Sequence, residues 1–241
     1  KKKYPVIKKN YPLMKKNINS FQFIDELSKN LRGNEIVVTD MGTSFTCSMQ
    51  SFSIKKPLKQ RLFTSSGLAS MGFGLPGITG AYFADNNKNP ICLSGEGGLM
   101  FNIQELQTIK NYKIPLKLFI LENKGYLTMK LMQKKNFRRL VGADPNSGLT
   151  FPSFQKIAKS FDFKYIKLKS KNISSQIKKI IKLNKPTIIE INMPPFQELI
   201  PRVQNRLNKD GTFLVPKLDD LYPHLSLNVL NRERNKAKNI K

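Results

Sequence analysis

The sequence predicts an α/β fold: a doubly wound parallel sheet with helices on both faces. Three observations carry that expectation. Short, nearly continuous apolar runs alternate with segments of helical periodicity, the pattern of a parallel sheet covered on both sides. Several of these runs stop at glycine-bearing loops, Asp40-Met41-Gly42-Thr43-Ser44, Gly95-Glu96-Gly97-Gly98 and Asn123-Lys124-Gly125. The chain has 241 residues, 39% of them hydrophobic. That is enough for one α/β domain and its extensions, and marginal for two full domains.

Taken in order, residues 1–19 are basic and proline-containing and read as a linker or docking arm. Ser20 is expected to cap a helix whose apolar face is Phe23, Ile24, Leu27 and Leu31, with Gly33 at its end. Ile36-Val37-Val38-Thr39 is a strand, and Arg61-Leu62-Phe63-Thr64 a second. A glycine-dense stretch over residues 67–80 leads into Ala81-Tyr82-Phe83-Ala84. Pro90-Ile91-Cys92-Leu93 is a third strand, and residues 102–111 have helical spacing through Ile103, Leu106 and Ile109. Residues 116–121 form a fourth strand and residues 154–161 a helix. Residues 165–168, 174–183 and 186–191 then read as strand, helix and strand. The alternation ends at Pro194. Residues 20–194 are therefore the domain, and residues 195–241 a C-terminal extension.

Composition excludes several classes of function. No apolar run reaches the roughly 20 residues that span a bilayer, so no membrane partner is expected, and no secretory leader is visible. Two cysteines, Cys47 and Cys92, and one histidine, His224, make neither a zinc site nor a disulfide framework; a cytoplasmic location is expected. The net charge of +26 would suit nucleic acid. The lysines, however, are spread along the chain among asparagines and isoleucines, with no basic-aromatic platform, so nucleic acid is not the expected partner.

The chemistry gathers at the strand ends. A diphosphate held through Mg²⁺ needs backbone N–H groups close to its oxygens, which favours glycine, and oxygen ligands around a small octahedral cation. Gly95-Glu96-Gly97-Gly98 sets one acid among glycines. Glu122-Asn123-Lys124-Gly125 adds a side-chain oxygen and a flexible carbonyl. The intervening residues 98–122 leave room for a loop, one helix and a return strand, so the two loops are expected at neighbouring strand ends.

Ser94-Gly95-Glu96-Gly97-Gly98 and Glu122-Asn123-Lys124-Gly125-Tyr126, at this spacing, resemble the motif of the thiamine-diphosphate (ThDP) enzymes. That motif is Gly-Asp-Gly followed by Asn-Asn or Asp-Asn. Phe101-Asn102-Ile103-Gln104-Glu105-Leu106 and Thr64-Ser65-Ser66-Gly67-Leu68-Ala69-Ser70-Met71-Gly72-Phe73-Gly74-Leu75-Pro76 are similar to the acetolactate synthase branch. Val141-Gly142-Ala143-Asp144-Pro145-Asn146-Ser147-Gly148 looks closer to acetolactate-synthase-like enzymes of surface-sugar gene clusters. The resemblance covers roughly residues 20–225.

The resemblance implies the cofactors ThDP and Mg²⁺. It implies that Glu96, the Asn123 side chain and the Gly125 carbonyl bind the metal. Gly95, Gly97 and Gly98 would hold the diphosphate, helped by Gly42, Thr43 and Ser44, with Asn123 and Tyr126 also at the cofactor. The Ala69 backbone would accept a hydrogen bond from the aminopyrimidine, and Met71 would wedge beneath the cofactor and bend it. Glu96 stands where the family has aspartate, one methylene shorter. The glutamate that activates the cofactor lies, in this family, on a separate pyrimidine-binding domain. No part of this chain resembles that domain, so no catalytic residue is assigned here. A partner domain or subunit, a homo- or hetero-oligomer and a 2-keto acid substrate are expected. FAD, if any, would belong to a domain outside this chain. The implied activity is decarboxylation of a 2-keto acid such as pyruvate with transfer of the acyl unit to a second carbonyl. The alternatives are a simple 2-keto acid decarboxylase and a non-catalytic partner that keeps the fold.

Plainer readings weigh against each residue. Gly72-Phe73-Gly74-Leu75-Pro76-Gly77 matches a dinucleotide fingerprint, but Pro76 lies inside it and no ribose-binding acid follows. Met71 alone would be a core methionine and Glu96 alone a solvated acid; the flanking motifs reverse both. Thr43 and Ser44 stand evenly between anion contact and turn capping.

Overall fold

The computed structural model describes residues 6–7, 16–56, 59–86, 89–207 and 210–238. Most of the basic arm expected at residues 1–19 lies outside these. The chain forms two compact units, one up to Gln197 and the other Glu198–Lys241. Among the described residues, no helix is long and apolar enough to cross a membrane.

The larger unit is built on a six-stranded, wholly parallel sheet. Its strands are β1 (Glu35–Thr39), β2 (Arg61–Phe63), β3 (Asn89–Gly95), β4 (Lys117–Glu122), β5 (Lys164–Lys167) and β6 (Thr187–Asn192). They lie in the order β2-β1-β3-β4-β6-β5. Between them run α1 (Ser20–Asn30), α2 (Thr43–Ser51), α3 (Gly74–Ala84), α4 (Glu96–Phe101), α5 (Glu105–Asn111), α6 (Leu127–Phe137), α7 (Phe154–Ser160) and α8 (Ile173–Ile181). Successive residues of a strand face opposite sides, so continuous apolar strands feed two cores. On one side Val38, Cys92, Leu118 and Ile120 pack with Leu75 and Ile78 of α3, Leu106 and Ile109 of α5, and Ile157 of α7. On the other, Phe23 of α1 meets Phe119 with ring centroids 5.4 Å apart. The doubly wound sheet is the fold that the alternating pattern predicts.

Local differences have physical causes. Asn19, not Ser20, caps α1: its Oδ1 accepts from Phe21 N at 2.9 Å. Ser20 is the first helical residue, and its hydroxyl accepts from Gln197 Nε2 at 2.6 Å. The expected loop at residues 40–44 turns into α2 at Thr43, and the expected loop at residues 95–98 is the first turn of α4. The helix expected over residues 102–111 is regular only from Glu105.

The smaller unit has two short antiparallel pairs, β7 (Arg202–Val203) with β10 (Leu221–Tyr222) and β8 (Arg206–Leu207) with β9 (Phe213–Leu214), and the helix α9 (Leu227–Lys238). Asp220 organises it. Its carboxylate accepts from Arg206 Nε at 2.7 Å and Nη2 at 2.6 Å, and lies 3.1 Å from His224 Nδ1. His224 is thus held in an ion cluster of this unit.

Candidate functional site

The sheet order places the site. The chain leaves β1 toward β2 on one side and β3 toward β4 on the other, so the order switches between β1 and β3, and sheets of this kind bind ligands beyond the carboxyl ends of the strands at such a switch. Three strand ends converge there: residues 40–42 after β1, Ser94 to Gly98 around the end of β3, and Asn123 to Gly125 after β4.

Glu96 is the first residue of α4 and is only 1% exposed. Its Oε1 accepts from Asn123 N at 3.0 Å and Gly125 N at 2.8 Å, and its Oε2 from Asn123 Nδ2 at 3.3 Å. The extra methylene thus carries the carboxylate across to the neighbouring strand end. Burial pushes its pKa up to about 7, against the pull of those N–H donors. Asn123 is 4% exposed, and its Oδ1 has no hydrogen-bond partner. A buried amide oxygen left bare costs free energy unless something meets it. A bare amide oxygen beside a buried carboxylate is the donor set that a hard cation takes.

Gly97, Gly98 and Gly125 sit where neighbouring groups leave no room for a side chain. A Cβ on Gly97 would lie 2.0 Å from Tyr126 Cε1, and one on Gly98 would lie 2.5 Å from Asp40 Oδ2. Tyr126 packs edge-on against Phe151, centroids 5.9 Å apart, and its ring lies along Gly97. Gly125 has φ +140°, and a Cβ there would lie 2.0 Å from the carbonyl oxygen of Ala143. That carbonyl also accepts from Tyr126 N at 3.0 Å. The segment Gly142-Ala143-Asp144-Pro145-Asn146-Ser147-Gly148 is a self-capped turn, with Asp144 Oδ1 accepting from Ser147 N at 3.0 Å. It backs the metal-loop candidate.

Gly42 is the N-cap of α2 with φ 74°, and a Cβ there would meet nothing within 4 Å. Thr43 and Ser44 are buried. The Ser44 hydroxyl donates back to Asp40 O at 2.9 Å, so what it can offer an anion is its backbone N–H at the helix start. Ala69 has φ 54°, a left-handed conformation at a non-glycine residue, and Met71 is 39% exposed. Both sit on the glycine-dense segment, which is pinned at Gly72. Gly72 N donates to Asp40 Oδ1 at 3.0 Å, and Gly72 O accepts from Asn102 Nδ2 at 3.0 Å.

Asp40 is the residue that pattern reading passed over. It is 2% exposed, and it also accepts from Met41 N at 2.7 Å and Ser94 Oγ at 3.1 Å. Burial raises its pKa, against the pull of its donors. One carboxylate thus ties the ends of β1 and β3 to the segment bearing Ala69 and Met71. Its only sequence signal was an acid at a strand end directly before a glycine loop.

A family model described as thiamine pyrophosphate enzyme, C-terminal TPP binding domain, matches residues 40–191. The chain belongs to the thiamine pyrophosphate enzymes. The match begins at Asp40 and ends within β6, so it takes in all three converging strand ends. Thiamine diphosphate is the cofactor of this family's domain. Among curated relatives, the chain is similar to acetolactate synthase 1, chloroplastic, of Zea mays, 29% identical over 191 residues, covering 76% of this chain and 29% of the relative. It is also similar to the acetolactate synthase large subunit of Lactococcus lactis, 28% identical over 197 residues, 80% of this chain and 33% of the relative. A third is the acetolactate synthase isozyme 2 large subunit of Escherichia coli, 28% identical over 184 residues, 75% of this chain and 32% of the relative. The chain spans about a third of the length of these relatives.

Proposed function

We propose that this chain is the ThDP-binding half of an acetolactate-synthase-like enzyme. It acts on a 2-keto acid such as pyruvate, removing CO₂ and transferring the acyl unit to a second carbonyl. The observation that carries the reading is the bare, buried Oδ1 of Asn123 beside the buried Glu96 carboxylate and Gly125. The acetolactate synthase relatives support the choice of reaction.

In this reading Glu96, the Asn123 side chain and the Gly125 carbonyl hold Mg²⁺. Gly95, Gly97 and Gly98 bring backbone to the diphosphate, with Gly42, Thr43 and Ser44 at the facing strand end. Tyr126 flanks Gly97 and limits water at that side. Ala69 would offer its backbone to the aminopyrimidine, and the half-exposed Met71 side chain would pack against the cofactor. ThDP, when bound, supplies the electron sink for loss of CO₂. The chain's own residues therefore bind, orient and exclude water, and no acid–base pair is required of them. The glutamate that activates the cofactor comes from a pyrimidine-binding domain, on a partner polypeptide or another portion of the same protein.

The test is turnover. The chain is combined with the polypeptide carrying the pyrimidine-binding domain, supplied with ThDP and Mg²⁺, and pyruvate consumption is followed. Acetolactate as product is expected. Acetaldehyde would instead indicate a simple decarboxylase, and pyruvate left unconsumed a non-catalytic partner.

A further inference from the structure

Lys130, on α6, is 0% exposed. A buried ammonium needs acceptors or negative charge around it. Among the described residues no carboxylate pairs directly with it. Its Nζ instead donates to Asn123 O at 2.8 Å and Lys124 O at 3.4 Å, and sits 5.1 Å from the centroid of the Phe196 ring. Burial lowers its pKa, and the negative charges of Glu96, Asp144 and Glu122 pull the other way and favour the ammonium.

The loop it touches needs holding. Lys124 has φ 60° and Gly125 φ 140°, two successive residues in conformations that extended or helical neighbours do not impose. The C=O and N–H of a trans peptide point in opposite directions. Lys124 O faces the Lys130 ammonium, and Gly125 N, on the same peptide, donates to Glu96 Oε1 at 2.8 Å. Asn123 is held through the two peptides that flank it, its N–H by Glu96 and its C=O by Lys130. An ammonium on one side and a carboxylate on the other thus fix the backbone from which the bare Asn123 Oδ1 projects.

We propose that Lys130 is a positioning residue of the cofactor site: with Glu96 it clamps residues 123–125 in the shape that presents Asn123 and Gly125 to a cation, and its charge offsets the anionic groups gathered there. The effect on cofactor affinity rests on the ThDP–Mg²⁺ reading; the clamp itself does not.

The experiment separates the two. Lys130→Met keeps an apolar stem and loses the donor, and Lys130→Arg keeps charge and donors. Lys134→Met removes the other cation on the Phe196 ring, 4.9 Å from its centroid and exposed to solvent. Amide hydrogen exchange is measured on the cofactor-free full chain. Calorimetric ThDP affinity in Mg²⁺ is measured on the chain assembled with its pyrimidine-domain partner. Lys130→Met is expected to speed exchange at the Gly125 amide, and to weaken ThDP binding, by about tenfold or more, the scale of one charge-assisted hydrogen bond. Amides of β3 and β4 keep their protection, Lys130→Arg recovers most of both losses, and Lys134→Met changes neither. Should the Met variant fail to fold, Lys130→Gln, which keeps N–H donors, is expected to move both readouts the same way by less. Wild-type exchange at Gly125 in whichever of these two variants folds, or an equal loss in Lys134→Met, overturns the proposal. If the wild-type assembly takes up no ThDP, the cofactor reading fails, while the clamp still stands or falls on the exchange at Gly125.

Discussion

Gly125→Ala is expected to cripple the site more than any other single methyl group added to this chain. The new Cβ would lie 2.0 Å from the Ala143 carbonyl oxygen, a backbone atom of a turn capped by Asp144 and Ser147. It would also have to occupy φ +140°, a region essentially reserved for glycine. The 123–125 loop must then move away from Glu96. Unfolding free energy should fall by about 1–3 kcal/mol, the cost of one forced backbone conformation. Mg²⁺-dependent ThDP affinity should fall roughly 10²-fold, the scale on which a shift near 1 Å disturbs a positioned group. Urea melts and calorimetry read the two effects. Gly80→Ala is the contrast. It lies in α3 with nothing within 4 Å of its built Cβ, so it should stabilise the chain by about 0.5–1 kcal/mol through helix propensity and leave binding unchanged. A Gly125→Ala protein that melts and binds like wild type would remove the loop from the site.

Glu96→Gln is expected to have the next largest effect. The substitution keeps the volume and removes the charge, and its amide nitrogen cannot accept from Asn123 or Gly125. Mg²⁺-dependent ThDP binding should weaken about 10- to 100-fold, as when a group that holds a metal site is altered. The pH dependence has a definite sign. Burial raises the folded pKa of Glu96 from the ordinary 4.5 to about 7. In the metal-free chain the unfolded state therefore ionises first, and this residue's contribution to stability is lost as pH rises from about 4.5 to about 7. A cation binds the ionised form, so Mg²⁺ affinity should rise with pH over the approach to 7, and Glu96→Gln should flatten both profiles. Thermal melts across pH, with and without Mg²⁺, measure this. Identical profiles for the two proteins would mean that Glu96 is not the titrating ligand.

Much of the fold was readable because its core is made of uninterrupted apolar strands. Val37-Val38 and Leu118-Phe119-Ile120-Leu121 have no polar face, which suits strands of a sheet covered on both sides, and the glycine motifs at the ends of β3 and β4 mark the candidate site. What stayed hidden lacks periodicity. In α6 only Leu127 and Lys130 are buried, so no apolar stripe marks residues 127–137 as a helix. In α2 the sequence Thr43-Ser44-Phe45-Thr46-Cys47-Ser48 favours turns, and tertiary packing overrides it. Gly97-Gly98 are poor helix formers that serve in a first turn because free N–H groups are what that turn offers. Asp40 and Lys130 were invisible for a different reason. An acid before a glycine loop and a lysine in a basic helix are ordinary letters, and the strand ends and carbonyls they bind are brought to them only by the folded chain.

If Glu96, Asn123 and Gly125 make one cation site through which this chain holds ThDP, uptake of the cofactor depends on the metal and on the Asn123 amide. The most direct test is equilibrium binding of ThDP to the chain, assembled with its pyrimidine-domain partner, as Mg²⁺ is titrated, for the wild type and for Asn123→Leu. Binding is expected to require Mg²⁺, to be reversed by chelation and to be lost in Asn123→Leu. ThDP binding that is indifferent to Mg²⁺, or equal in Asn123→Leu, would contradict a cation site at these residues.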